Sequence, residues 1–229
     1  MEEPTQSQHS STPRGRDMYK LYWSPGSAAM APMAILNALN VQHQLIKVDD
    51  DKNEQKSAEY MRLNPHGRVP TLVYDGAQVM YEAAAICLFL TERHPEAGLA
   101  PAPGHPDRGL FLQWMAYLTN TLQEALMHYW HGNYFIDGAE QQAQMAKKAE
   151  QRCDEMFGFL DGVLARSGPW LCGKNFYACD IYLAMIARWT RKMEKPAVRH
   201  REISRLVQHC LALPAYAKML KDQGIEQTA

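Results

Sequence analysis

No stretch of this chain is apolar for long enough to cross a bilayer. The longest such run, Ala83 to Leu90, is closed by Glu82 on one side and by Thr91, Glu92 and Arg93 on the other. A dominant charge is missing too. Lys and Arg total 24 against 25 Asp and Glu, a formal net charge of -1, so no basic field draws the chain to nucleic acid or an acidic membrane. Cysteine is sparse: five residues, at 87, 153, 172, 179 and 210, with no C-x-x-C pair. The odd count argues against a disulfide framework and for reduced thiols in a cytoplasmic protein. The nine histidines show no ligand spacing with cysteine or carboxylate, so no metal is expected. Repeats and low-complexity tracts are absent. Residues 1–17 are polar, lack the apolar centre of a signal peptide and begin too acidic for a transit peptide, so they read as a disordered tail.

What is present is an ordinary globular composition, 46% hydrophobic and 21% charged over 229 residues, enough for one large domain or two small ones. Strands are expected over Lys20–Trp23 and Gln44–Val48, with a helix from about Ser27 to Leu39 between them. A brief helical piece at 57–61 precedes a hairpin, Thr71–Tyr74 and Val79–Tyr81 around Asp75-Gly76, and a helix follows from Glu82 to about Arg93. This β-α-β-α-β-β-α order is that of a thioredoxin-like layer, a mixed sheet with helices on both faces. His94 to Asp107 holds four prolines and two glycines and reads as a linker. Beyond it only helices are expected, near 107–133, 139–166, 179–194, 202–212 and 214–223. The fold class is therefore an α/β thioredoxin-like N-terminal domain plus an all-α C-terminal domain. The expected boundaries are 18–94, a linker over 95–106, and 107–229.

The densest information lies between Asn64 and Glu82. A loop ending in Val69-Pro70 feeds the hairpin, and the second strand stops at a carboxylate that opens a helix. If the Val69–Pro70 bond is cis, which costs only ~0.5–1 kcal/mol relative to trans, the Val69 N–H and C=O can pair with an extended peptide-like ligand. Glu82 would receive an amine while neighbouring helix-start N–H groups receive a carboxylate. A free amino acid head beside a strand-like peptide describes glutathione, a γ-glutamyl tripeptide. The alternative is an ordinary hairpin with a turn proline and an acidic helix start.

The layer, linker and helical half together resemble the cytosolic glutathione S-transferases, with closest similarity to bacterial beta-like members. Leu21-Tyr22-Trp23-Ser24-Pro25-Gly26-Ser27, Asn64-Pro65-His66-Gly67-Arg68-Val69-Pro70, Gly98-Leu99-Ala100-Pro101 and Gly168-Pro169-Trp170-Leu171-Cys172-Gly173 carry the resemblance. It implies that Val69, beside Pro70, pairs with the cysteinyl unit of glutathione. Glu82 and the N–H of Ala83 would take the γ-glutamyl head, and His66 and Arg68 would bracket the glycyl end. It also implies a homodimer and a small hydrophobic electrophile as second reactant, held by Trp114 or Tyr117 on the helical half. For His66 and Arg68 a solvated loop pair, and for Trp114 and Tyr117 core packing, are the competing readings.

Such an enzyme must keep a thiol ionised near neutral pH. Lowering a thiol from ~8.5 to about 6.5 needs ~2.7 kcal/mol of preference for the anion. One charge-assisted hydrogen bond supplies ~1.5–3 kcal/mol and a helix N-terminus ~0.3–1 kcal/mol, so a single hydroxyl is enough. Ser27, at the expected N-cap, and Tyr22, near the end of the first strand, are the candidate catalytic donors.

The chain departs from the family pattern at several positions. Ala28 stands where beta-type members carry a cysteine, and Ala29 lacks a frequent hydroxyl. Ala83 replaces the serine of the Glu-Ser pair, Gln123-Glu124 fall on a His-Lys pair, and Tyr177-Ala178-Cys179-Asp180 lacks the reciprocal helix cap. A non-catalytic binding module of the same fold is therefore the alternative function. A glutathione-dependent reductase or ether-cleaving lyase is the third, the reductase form disfavoured by Ala28.

Overall fold

The computed structural model of the chain describes residues 18–227; the tail expected over 1–17 lies outside them. The first half is a four-stranded sheet in the order β2-β1-β3-β4, from β1 (Tyr19–Trp23), β2 (His43–Lys47), β3 (Thr71–Tyr74) and β4 (Gln78–Tyr81). β1 runs parallel to β2 and antiparallel to β3, and β3 pairs antiparallel with β4. Three helices flank the sheet: α1 (Met30–Leu39), α2 (Ala58–Leu63) and α3 (Ala83–Arg93). Leu21 and Leu72, opposite each other across the sheet, are fully buried beside Met30, Met33 and Ile86. Directly opposed residues share a face, so the next row, Tyr22, Thr71 and Tyr81, lies on the other face, where Tyr60 of α2 meets Tyr22.

The second half is mostly helical: α4 (Arg108–Tyr117), α5 (Glu124–Trp130), α6 (Ala139–Ser167), α7 (Ala178–Trp189), α8 (Arg201–Ala212) and α9 (Pro214–Asp222). α4 and α5 form one long rod joined by a π-helical segment, Leu118–Gln123. α7 is buried over all but its last residue and packs against α1, α3, α4 and α8, so one core runs through both halves.

Two local expectations are corrected. The first helix begins at Met30 with Ala29 as its N-cap, not at Ser27, because residues 24–29 form tight turns in which the Ser27 hydroxyl bonds back to the Ser24 carbonyl at 2.8 Å. The helix expected to reach 194 ends at Trp189, where Thr190 turns the chain and holds the Ala197 N–H at 2.7 Å.

Candidate functional site

The register of the sheet assembles the site. Thr71, the first residue of β3, pairs with Tyr22 of β1 and with Tyr81, the last residue of β4. Val69-Pro70 and Glu82 therefore meet at one end of the hairpin, beside the turn that carries Ser27. The Val69–Pro70 bond is cis.

The loop before it is held from beneath. The Arg68 carbonyl accepts from the Tyr60 hydroxyl and from Asn64 Nδ2, both at 2.8 Å. A trans peptide sets its C=O and N–H in opposite directions, so tying the Arg68 oxygen inward turns the Val69 N–H outward. Among the described residues Val69 makes no backbone hydrogen bond with either group. The Tyr60 hydroxyl also meets Thr71 Oγ1 at 2.8 Å, and its burial pushes the phenol up to about 12, so it serves here as a neutral strut. Gly67 lets the loop close at φ 56°. A Cβ there would lie 2.7 Å from the Gln55 carbonyl.

Glu82 is the N-cap of α3 at φ 73°, a left-handed conformation that glutamate rarely adopts. Such outliers gather at ligand sites, where surrounding structure sustains them. Glu82 is exposed, and no side-chain cap bond at its helix end is formed. The first-turn N–H groups of α3, Ala83's among them, are open to an anion.

The two candidate hydroxyls differ. Ser27 donates to the Ser24 carbonyl and accepts from the Ala29 N–H at 3.3 Å, so both its functions are used within the turn. Tyr22 is half-buried, stacks edgewise on Tyr60 at 5.7 Å, and has no hydrogen-bond partner for its hydroxyl among the described residues.

His66 and Arg68 are exposed. His66 meets the Tyr81 ring at 5.5 Å, and the Arg68 guanidinium lies 5.9 Å over Tyr134 in the turn after α5. That ring stacks on His131 at 5.0 Å, and burial, then the Arg68 charge, holds the His131 imidazole below its usual range. Trp114 belongs to the core at 4% exposure and Tyr117 is half-buried. Both rings meet Phe159 of α6, and no hydrogen bond or ring contact joins either to residues 22–29 or 64–70.

Sequence reasoning missed the grip that the second half takes on the Ser27 turn. Gly26, in the Ser27 turn, is gripped twice: its N–H donates to Gln223 Oε1 at 2.9 Å and its carbonyl accepts from Trp189 Nε1 at 2.8 Å. Tyr134, over Arg68, completes that side. Only the exposed aromatics Trp130, Tyr134 and Phe135 in consecutive turns could have signalled it. Among the described residues no group of three or more His, Cys, Asp or Glu side chains is arranged to hold a metal ion. No helix among them is long and apolar enough to cross a membrane.

Comparison with known proteins fits this geometry. The family model for the glutathione S-transferase N-terminal domain matches residues 28–93, and that for the C-terminal domain matches 114–214. The chain is 23% identical over 213 residues to glutathione S-transferase GstA of Escherichia coli O157:H7, covering 90% of this chain and 100% of that protein. It is 28% identical over 183 residues to the disulfide-bond oxidoreductase YfcG of Escherichia coli K12, covering 76% and 82%. A glutathione transferase homologue from Sulfitobacter, solved with bound glutathione, superposes with a TM-score of 0.83 at 25% identity, covering 91% and 99%. A beta-class glutathione S-transferase from Sphingomonas chungbukensis shares the fold with a TM-score of 0.78 at 23% identity, covering 90% and 100%. With both halves of the chain matched in order and the hairpin edge laid out as described, the chain belongs to the cytosolic glutathione S-transferase family.

Proposed function

We propose that this protein is a glutathione transferase that ionises the thiol of glutathione and delivers it to a small apolar electrophile. One observation carries the reading: among the described residues the Val69 N–H and C=O have no hydrogen-bond partner at the hairpin edge where Glu82, in its strained conformation, heads α3. An extended tripeptide satisfies all three features at once, its cysteinyl unit on Val69 and its γ-glutamyl amine on Glu82. The γ-glutamyl carboxylate meets the Ala83 N–H and the start of α3. His66 and Arg68 face the glycyl end.

Tyr22 is the better-placed thiol donor, because its hydroxyl is uncommitted while that of Ser27 already bonds within its own turn. The sulfur attacks by addition or substitution, driven by electrostatic preparation of the nucleophile. The electrophile lies on the side where Tyr134 covers Arg68, since Trp114 and Tyr117 turn toward α6. Residues 18–94 act as the ligand-binding domain and 107–229 as the helical one, in a cytoplasmic homodimer, with no metal.

A non-catalytic module is the second reading, favoured by Ala28, Ala29 and Ala83, which leave the pocket without three polar side chains. Calorimetry with glutathione, followed by thiolate absorbance of the complex between about pH 5 and 9, decides between them. Binding with the thiol midpoint lowered supports the transferase, binding with an unshifted thiol supports the module, and absent binding defeats the transferase.

A further inference from the structure

The loop that feeds the cis bond carries cationic side chains, and one of them is left without an anion. Lys56 Nζ donates to the His66 carbonyl at 3.1 Å, and the His66 ring stands edgewise to Tyr81 at 5.5 Å. Arg68 is exposed, and among the described residues its guanidinium forms no ion pair and no hydrogen bond. It lies instead over the Tyr134 ring, 5.9 Å from the centroid. A guanidinium carries its five N–H donors in its own plane, so an aromatic ring engages its charge without using any of them. The donors remain available to a carboxylate, which they can meet bidentately.

Tyr134 is itself held in place. It closes the turn Gly132–Tyr134 after α5, where its N–H donates to the His131 carbonyl at 2.9 Å. Its ring lies nearly parallel to the His131 imidazole, at 13° and 5.0 Å. That imidazole, held below its usual range by burial and then by the Arg68 charge, is neutral near pH 7 and does not compete for the ring as a cation. The ring is 59% exposed and adds little to the core. What it does touch is a side chain that would otherwise spread over many rotamers, and ordering Arg68 before a ligand arrives lowers the entropy lost on binding.

The direction of the chain places this pair. With the cysteinyl unit on Val69 and the γ-glutamyl head at Glu82, the third unit of the tripeptide falls on the Arg68 side of Val69. We propose that Tyr134 positions the Arg68 guanidinium for the free glycyl carboxylate, so that the site selects a peptide ending in a carboxylate over the same peptide ending in a neutral group. This rests on the glutathione reading above, and it makes Tyr134 a positioning residue that does not touch the ligand.

The test compares two probes by calorimetry on the full chain: glutathione, and glutathione amide, in which the glycyl carboxylate is a neutral carboxamide. The unaltered chain should prefer glutathione by about tenfold, the low end for a hydrogen bond to a charged group. Arg68→Gln should abolish that preference by weakening glutathione alone. Tyr134→Ala should weaken glutathione by about threefold, as expected for an exposed cation–aromatic contact, and leave the amide unaffected. Tyr134→Phe, which keeps the ring, should bind both peptides as the unaltered chain does. If Tyr134→Ala leaves glutathione binding unchanged, or weakens both peptides equally, the inference is wrong. It is equally wrong if the unaltered chain binds the two peptides alike, whereas binding of neither brings down the glutathione reading itself.

Discussion

Two hydroxyls stand near the expected thiol, and their hydrogen bonds separate them. Ser27 spends its proton on the Ser24 carbonyl, whereas among the described residues the Tyr22 hydroxyl has no hydrogen-bond partner. Tyr22→Phe should therefore lower kcat/KM by about 10²-fold, the low end for a positioned proton-handling group. It should also return the bound thiol's absorbance midpoint toward that of free glutathione, with little change in binding. Ser27→Ala should leave both readings nearly as they were; a loss at Ser27 equal to that at Tyr22 would reverse the assignment. Glu82→Gln keeps size but removes the charge that faces the ligand amine, so calorimetry should show glutathione weakened by about tenfold. At this scale Val69, Pro70 and Glu82 could be singled out in the sequence because all three sit within one hairpin. Tyr134 over Arg68 could not, since nothing local in either segment points to the other.

Helix starts show what an element can do without its usual cap. α7 begins at Tyr177-Ala178-Cys179-Asp180, and only the acidic half of the cap works there: Asp180 accepts from the Tyr177 and Leu171 N–H groups, each at 2.9 Å. The Tyr177 hydroxyl goes to Asp107 instead, at 3.0 Å. Asp180→Ala would leave two buried N–H groups unpaired, and urea unfolding should report a loss of about 2–4 kcal/mol. Burial outweighs those two donors and pushes the Asp180 carboxyl up to about 7. In the unfolded chain it titrates near ~3.9, so between these values the folded state holds the extra proton. Its contribution is therefore complete below about pH 4 and is lost as pH rises toward 7. Asp180→Asn removes that slope. The stability difference between the unaltered chain and Asp180→Asn, by urea unfolding at several pH values, should move against the unaltered chain from about pH 4 to 7; a constant difference would contradict it. Periodicity made these helices legible, with ends a few residues off. The π segment within the 107–133 stretch was not, because no local residue pattern marks where one helical turn takes an extra residue.

Across the whole molecule the site depends on both halves. Trp189 and Gln223 grip Gly26 from sequence distances of 163 and 197 residues. Gln223→Ala should free the Gly26 N–H, loosen the Ser27 turn and lower kcat several-fold. Its thermal midpoint should fall by only a few degrees, since one exchanged hydrogen bond is worth about 1 kcal/mol. An unchanged kcat would show that the turn holds itself. The chain's residues alone determined the two-part architecture, the hairpin and the acidic helix start, because each follows from neighbours whose apolar spacing and turn chemistry act over a few positions. Only the tertiary structure decided which of the two hydroxyls has a partner among the described residues, which way the Val69 amide faces, and that Trp189 and Gln223 reach the first half. Those outcomes depend on where packing of α7 against α1 and α3, and of α9 against α1, leaves polar groups with or without partners, and no local pattern encodes that.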